Sequence, residues 1–285
     1  MSAPHRPAGE PHRPAGEPPG AAGEQRVAVI TGAARGIGAA TARRLASAGW
    51  RLVLVDRCKD DPGLGYPLAT PEELATVVEE CGPGRAEGVI ADVRDQAALD
   101  GAAAVALERF GGLDAALAVA GCIGGGVEAW KTPDALWTTL LSVNLEGAWR
   151  LAKAAVPAML ERPAPRQGRF VAVASAGGTV GIHLLAAYSA AKHGVVGLVR
   201  SLAAELAPHG ITANAVAPGS TATVMLDASA RLYHLAGTGE LTDQHLIRRA
   251  LSPEEPAALI AWLCGPDSSG VTGAVLPVDL GMTAR

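Results

Sequence analysis

Val27-Ala-Val-Ile-Thr-Gly-Ala-Ala-Arg-Gly-Ile-Gly38 is the stretch on which the reading of this chain turns. The apolar run Val27–Ile30 leads through Thr31 into a turn with glycines at 32, 36 and 38, and a helical pattern follows over 36–48. Such a turn needs glycine where the backbone must approach a pyrophosphate or the next strand. The helix that follows offers free N–H groups and the positive end of its dipole to the same point. The spacing is GxxxGxG rather than GxGxxG, so the motif draws its weight from lying between a first strand and a helix.

Outward from this turn, short apolar runs alternate with longer helical patterns. Strands are expected at Val27–Ile30, Leu52–Val55, Gly88–Ala91, Ala115–Val119, Phe170–Val173, Thr212–Val216 and Ala274–Val278. Helices are expected at 36–48, 71–80, 95–110, 133–160, 186–207 and 252–264. The strands read as continuous apolar runs without in/out alternation, as in a parallel sheet covered on both faces. Seven strands alternating with helices predict a single α/β domain over 26–285, a Rossmann-type, doubly wound, seven-stranded parallel sheet with helices on both faces. Residues 1–25 are different material. PHRPAGE occurs at 4–10 and again at 11–17, and a Pro/Gly/Ala/Glu/Arg segment without large apolar residues predicts a disordered tail.

The chain has 285 residues, 49% hydrophobic and 18% charged, with a net charge of −4. The hydrophobic share excludes collagen-like and wholly disordered classes, and the charge gives no basic footprint for a nucleic acid. Cys58, Cys81, Cys122 and Cys264 form no CxxC pair and adjoin no plausible His ligand, so no metal site or disulfide framework is expected and a reducing cytoplasm fits. The uncharged stretches Phe170–Ala191 and Leu206–Leu226 are too polar and broken for spanning helices, and no signal peptide is read at the N-terminus.

Asp56 ends the second strand, where a carboxylate accepts both hydroxyls of an adenosine ribose and repels a 2′-phosphate, which favours NAD over NADP. Arg35 and Arg57 pull the other way, since each can pair with a phosphate. Asp92, after the third strand, has two readings: a hydrogen bond to the adenine edge, or an N-cap for the helix at 95–110. Tyr188 and Lys192 stand at i and i+4 of one helical pattern and so share a face. An ammonium beside a phenol favours the phenolate, making Tyr188 a usable acid/base. YxxxK alone is weak, but Ser175 ends the strand Phe170–Val173, Asn144 sits in a helical pattern where an amide has poor propensity, and Pro218-Gly219 follows the strand Thr212–Val216. Ligands of doubly wound sheets bind at these strand ends.

On TGAARGIG (31–38), Asp56, Asp92, Asn144, Ser175, YSAAK (188–192), PGSTAT (218–223) and VTGAVLPVD (271–279), the chain resembles the short-chain dehydrogenase/reductase family over about 26–282. The resemblance implies Tyr188 as proton acceptor or donor and Ser175 as hydrogen-bonder of the substrate oxygen. It implies Lys192 on the nicotinamide ribose, tuning Tyr188, and Asn144 positioning a water of a proton relay. It places Gly32, Ala34, Arg35, Gly36, Ile37, Gly38, Asp56, Arg57, Asp92, Val93, Ala120, Gly121, Tyr188, Lys192, Pro218, Gly219, Thr221 and Thr223 around NAD, with Thr221 and Thr223 at the nicotinamide amide. It also implies a homotetramer. One departure is Ala118-Val119-Ala120-Gly121 where the family often has Asn-Asn-Ala-Gly, which puts local rigidity in doubt.

The segment Arg57–Thr70 is longer than an ordinary strand-to-helix connection and lies beside the expected adenosine site. A neutral surface insertion is one reading. VDRCKDD (55–61) and YPLATPEEL (66–74) also resemble actinobacterial, carveol dehydrogenase-like enzymes coupled to mycofactocin, in which such an insertion is thought to cover NAD so that an external carrier reoxidises it in place. Residues 220–250 are expected to form a substrate lid. Met225, Leu226, Leu232, Tyr233 and Leu235, with Gly124–Gly126 and Trp130, either line an apolar pocket for a hydrophobic alcohol or ketone or merely pack the lid. His183 and His193 are assigned no role, and Cys122 is read as a small hydrophobe. The leading expectation is an NAD-dependent alcohol/ketone oxidoreductase. Its rivals are an NADPH-linked carbonyl reductase and a non-catalytic nucleotide-sensing protein.

Overall fold

The computed structural model describes residues 25–284; the tail expected over 1–25 lies, Gln25 apart, outside them. In chain order the elements are β1 (Val27–Thr31), α1 (Gly36–Ser47), β2 (Arg51–Asp56), α2 (Pro71–Glu80), β3 (Ala86–Ile90), α3 (Gln96–Phe110), β4 (Ala115–Ala118), α4 (Asp134–Leu141), α5 (Gly147–Leu160), β5 (Arg169–Val173), α6 (Ala186–Leu206), β6 (Thr212–Pro218), α7 (Val224–Leu232), α8 (Gly239–Thr242), α9 (Glu254–Cys264) and β7 (Val275–Val278). The strands make one parallel sheet in the order β3-β2-β1-β4-β5-β6-β7. The chain winds outward from β1 in both directions, so the carboxyl ends of β1 and β4 diverge and leave a crevice.

The inner strands β1, β4, β5 and β6 are buried at every position, which is why their sequences are continuous apolar runs. One face of the sheet packs Val29, Val53 and Phe170 against Leu99 of α3, Leu151 of α5 and Val199 of α6. The other packs Ile30, Leu52, Leu54 and Val171 against Leu45 of α1 and Ile260 and Leu263 of α9. Each such side chain contributes about 1.5–3 kcal/mol on burial.

Three local departures from expectation have physical causes. β3 runs over 86–90 rather than 88–91, and its burial alternates. It is an edge strand whose extent follows pairing with β2, from Leu52↔Ala86 to Asp56↔Ile90, so Ile90 is 62% exposed. The helix expected over 133–160 is broken into α4 and α5 by a π-helical turn at Ser142–Glu146. There the Asn144 side chain donates to the Leu140 carbonyl at 2.9 Å, competing with the backbone ladder four residues back. The N-cap of α3 is Asp95, which accepts from the Ala98 amide, so the capping reading of Asp92 is not the one the chain adopts.

The segment after β2 is pinned at its far end by a capping box. Thr70 Oγ accepts from the Glu73 amide, the Glu73 carboxylate accepts from the Thr70 amide, and Pro71 opens α2. The missing amide at 118–119 is replaced from across the crevice. Thr31 Oγ1 accepts from the amides of Val119 and Ala120 at 3.2 and 3.3 Å, so β1 ties down the backbone that follows β4. Thr31→Val removes this acceptor at constant shape; the Val119 amide keeps the Leu117 carbonyl at 3.2 Å, and the Ala120 amide is left short of a partner. The substitution should lower stability by about 1–3 kcal/mol, read as a fall in the denaturation midpoint; an unchanged midpoint would show that the tie contributes nothing.

Candidate active site

The crevice opens into a cavity of about 510 Å³ along the carboxyl ends of the strands. Gly32 has φ +68°, and a Cβ there would lie 2.6 Å from the Ala120 Cα; at Gly38 a Cβ would lie 2.0 Å from the Gly32 carbonyl oxygen. Glycine is therefore obligatory at both positions for the turn to fit between β4 and α1. α1 begins at Gly36 with no side-chain cap and no acid in its first turn. Gly36, Ile37 and Gly38 line the cavity with this helix N-terminus, a set of donors and dipole suited to a pyrophosphate. Asp56 lines the same end, and its carboxylate accepts from the Ala34 amide at 3.0 Å. The turn, the uncapped helix and the carboxylate fit a dinucleotide. Ala34 itself does not line the cavity: it is 3% exposed, and its amide positions Asp56.

Asp92 and Val93 line the same end of the cavity as Asp56, and Arg35 and Arg57 stand there too. Both guanidiniums are engaged. Arg35 donates to the Pro67 carbonyl at 2.6 Å. Arg57 pairs with Asp61 at 2.6 Å and Asp92 at 3.1 Å, and Arg94 pairs with the same two carboxylates at 3.0 and 2.6 Å. Burial works to raise the Asp61 carboxyl, but the Gly63 amide and the two guanidiniums outweigh it and hold it below its ordinary value.

The 57–70 segment does not stop at the adenosine end. Leu64, Tyr66 and Leu68 join an apolar cluster with Ile123, Leu140, Leu185, Tyr188 and Met225. The Tyr66 hydroxyl accepts from the Ile123 amide at 3.0 Å, and Tyr66 is 9% exposed. The segment thus spans from the Asp56 end of the cavity to the Tyr188 end, which overturns the picture of a neutral surface insertion.

At the opposite end Ala120, Gly121, Pro218, Gly219, Thr221 and Thr223 line the cavity with Ser175, Tyr188 and Lys192. Ser175, at the end of β5, accepts from the Gly177 amide and shares a hydrogen bond with Tyr188. Lys192 Nζ donates to the Val173 carbonyl at 2.8 Å and lies 5.8 Å from the centre of the Tyr188 ring. The electrostatics correct the expectation of a lowered phenol. Burial pushes Tyr188 above its ordinary value, and the Ser175 hydrogen bond opposes this only in part. The same burial brings Lys192 down to about 8. Lys192 directs its hydrogen bond at a carbonyl, so its pull on the phenol does not overcome desolvation.

Asn144 stands behind the cavity and does not line it. Its amide donates to the carbonyls of Cys122 and Leu140, and its oxygen accepts from the Cys122 amide at 3.1 Å. Both amide hydrogens are therefore engaged, and neither serves to hold a water. Gly121 touches this device, since a Cβ there would lie 2.9 Å from Asn144 Oδ1 and 3.4 Å from Lys192 Nζ. Among the lid residues Met225, Leu226 and Tyr233 line the cavity, whereas Trp130 is 82% exposed and does not line it. Leu232 and Gly124-Gly125 line a smaller neighbouring cavity of about 210 Å³ that shares Leu64, Tyr66 and Ile123.

Several contributors are given no role in the sequence reading: Asp61, Tyr66, Arg94 and His245. Buried His245 accepts from the Ser220 amide through Nε2 while Nδ1 meets the Arg249 carbonyl, steadying the loop after β6. The first two lie in the stretches 55–61 and 66–74 that carry the resemblance, which assigns them no individual task; Arg94 and His245 carry no motif.

The family model described as Enoyl-(Acyl carrier protein) reductase matches residues 32–283. The chain is 38% identical to (-)-trans-carveol dehydrogenase of Rhodococcus erythropolis over 277 residues, 91% of this chain and 98% of that protein. Its fold is similar to carveol dehydrogenase from Mycobacterium avium in complex with NAD, with a TM-score of 0.87 and 34% identity over 92% of this chain and 99% of that one. It is also similar to an actinorhodin polyketide ketoreductase with NADPH, at TM-score 0.82 and 34% identity over 92% and 98%. The chain belongs to the short-chain dehydrogenase/reductase family of oxidoreductases.

Tyr66→Phe leaves the Ile123 amide without its acceptor in apolar surroundings. It should cost about 1–3 kcal/mol, measured as a lower thermal midpoint, while Trp130→Ala on the exposed turn should leave the midpoint unchanged; equal effects would contradict the assigned contact.

Proposed function

We propose that the protein interconverts a hydrophobic secondary alcohol and its ketone, with NAD as the hydride carrier. The convergence of Ser175, Tyr188 and Lys192 at one end of a cavity whose other end is formed by the glycine turn and Asp56 carries this reading. When bound, NAD supplies the hydride acceptor at nicotinamide C4 and returns the hydride in reduction. The glycine turn and α1 hold the pyrophosphate, Asp56 the adenosine ribose, Asp92 and Val93 the adenine. Ala120, Gly121, Pro218, Gly219, Thr221 and Thr223 shape the nicotinamide end. Ser175 holds the substrate oxygen, and Tyr188 Oη takes its proton in oxidation and returns it in reduction. Lys192, cationic below about pH 8, holds the nicotinamide ribose. Asn144 is a positioning residue that sets Gly121 and Cys122 beside Lys192.

The apolar lining by Ile182, Leu185, Met225 and Tyr233 supports a hydrophobic substrate, as does the likeness to a carveol dehydrogenase. The 57–70 segment, anchored at Asp61, Tyr66 and Thr70, supports an NAD retained under it and reoxidised in place by an external carrier, mycofactocin. Four free, buried cysteines agree with a cytoplasmic enzyme. Half-exposed Trp137 of α4 and Trp149 of α5 support a homotetramer built on the helices within 133–160 and 186–207 with the last strand. A second reading, an NADPH-linked carbonyl reductase, is favoured by Arg35 and Arg57 at the adenosine end and by the ketoreductase likeness.

Tyr188→Phe should reduce turnover by at least about 10²-fold and leave nucleotide binding intact; an active variant overturns the assignment. Protein purified without added nucleotide and then denatured should release near-stoichiometric NAD by mass spectrometry and turn over only with an artificial electron acceptor. An empty site overturns the retained cofactor, and NADP overturns the role of Asp56. Because the phenol is raised, its basic form appears only as pH climbs. Oxidation should therefore rise with pH through the neutral and alkaline range, and reduction, which needs the phenol protonated, should fall at its upper end. Steady-state pH profiles of kcat/KM test this.

A further inference from the structure

The adenosine end holds two cations of the kind that clamp a phosphate monoester, and the 57–70 segment occupies both. Arg57 directly follows Asp56, where a guanidinium offers paired donors to a phosphate. Its Nη1 is taken by Asp61 at 2.6 Å and its Nε by Asp92 at 3.1 Å. Arg94 closes the group through the same two carboxylates, so two cations meet two anions and the net charge is zero. Arg35, from the glycine turn, gives Nη2 to the carbonyl of Pro67. The side chain of Asp61 is 8% exposed, and its second oxygen accepts from the Gly63 amide at 2.9 Å. This is no loose surface pair of small effect. Loss of the one carboxylate would leave a net positive charge beside Asp56, in partly buried surroundings.

We propose that the 57–70 segment is the element by which this protein rejects NADP, and that Asp61 is its specificity-determining residue. Asp56 repels a 2′-phosphate; Asp61 neutralises Arg57 and keeps its donors engaged, so the cation next to Asp56 does not offset that repulsion. Discrimination then has a repulsive part from β2 and a part that removes the competing attraction, supplied by the insertion. The proposal rests on the reading of the cavity as an NAD site.

The test compares NAD and NADP binding by the native chain, Asp56→Ala, Asp61→Asn, the double variant, and the double variant with Arg57→Ala. The bound ratio is read by mass spectrometry of nucleotide released on denaturation, and by calorimetric titration of NAD⁺ and NADP⁺ where the site is empty. Asp56→Ala alone should raise the NADP:NAD ratio by less than about tenfold, because Arg57 stays engaged, and the double variant by roughly a hundredfold, the effect of a charge-assisted contact. Adding Arg57→Ala should cancel the gain. A double variant no better than Asp56→Ala overturns the role of Asp61 while leaving the NAD reading intact. A chain that binds neither nucleotide overturns both. Should Asp61→Asn fail to fold, Arg57→Ala on the Asp56→Ala background decides. If Asp61 holds Arg57, NADP affinity changes by less than about threefold; a larger loss means that Arg57 already meets the phosphate, and the proposal falls.

Discussion

The backbone of the glycine turn touches the backbone after β4 with no room for a side chain between them. A Cβ on Gly32 would lie 2.6 Å from Ala120 Cα, and one on Gly38 would lie 2.0 Å from the Gly32 oxygen. This contact lets α1 start immediately behind the diverging ends of β1 and β4, with its uncapped N-terminus turned into the crevice. Thr31 reinforces it by bonding the Val119 and Ala120 amides. Everything that lines the Tyr188 end of the cavity is placed relative to this junction: Gly121 follows it, and Asn144 locks the next residue, Cys122, through two hydrogen bonds while a third ties it to the Leu140 carbonyl.

The 57–70 segment makes one unit of the two ends of the cavity. Near its start, Asp61 sits in a neutral four-membered ion cluster at the Asp56 end of the cavity. Further along, Tyr66 binds the Ile123 amide and packs in the same cluster as Tyr188 and Met225. At its end, the Thr70 capping box fixes the entry to α2. Three anchors of different chemistry hold a loop that has no regular secondary structure, and displacing it means breaking a charge cluster, a buried hydrogen bond and apolar contacts together.

The catalytic corner shows how burial competes with proximity. Tyr188 and Lys192 share a helix face as their spacing dictates, yet desolvation acts on both and in opposite directions. The neutral phenol and the neutral amine are each favoured, and Lys192 comes down to about 8. Cys122, pressed against the same lysine and asparagine, is pushed up to about 12 and stays a neutral filler.

The doubly wound sheet was legible from the sequence, because strands buried on both faces must be apolar throughout and only glycine fits the turn after β1. Ser175, Tyr188 and Lys192 were legible as companions because strand ends and an i, i+4 pair bring them to one edge whatever the rest of the chain does. Tertiary structure alone decided the rest. The extent of β3 came from pairing at an edge, and the π turn at 142–146 from one amide reaching its own helix carbonyl. The raised phenol of Tyr188 depended on how much water the finished corner excludes. Whether Arg35 and Arg57 stand free for a phosphate depended on Pro67 and Asp61, residues of an irregular loop. Periodicity places faces and strand ends, but a loop without periodicity takes its path from long-range contacts, and those exist only once the chain is folded.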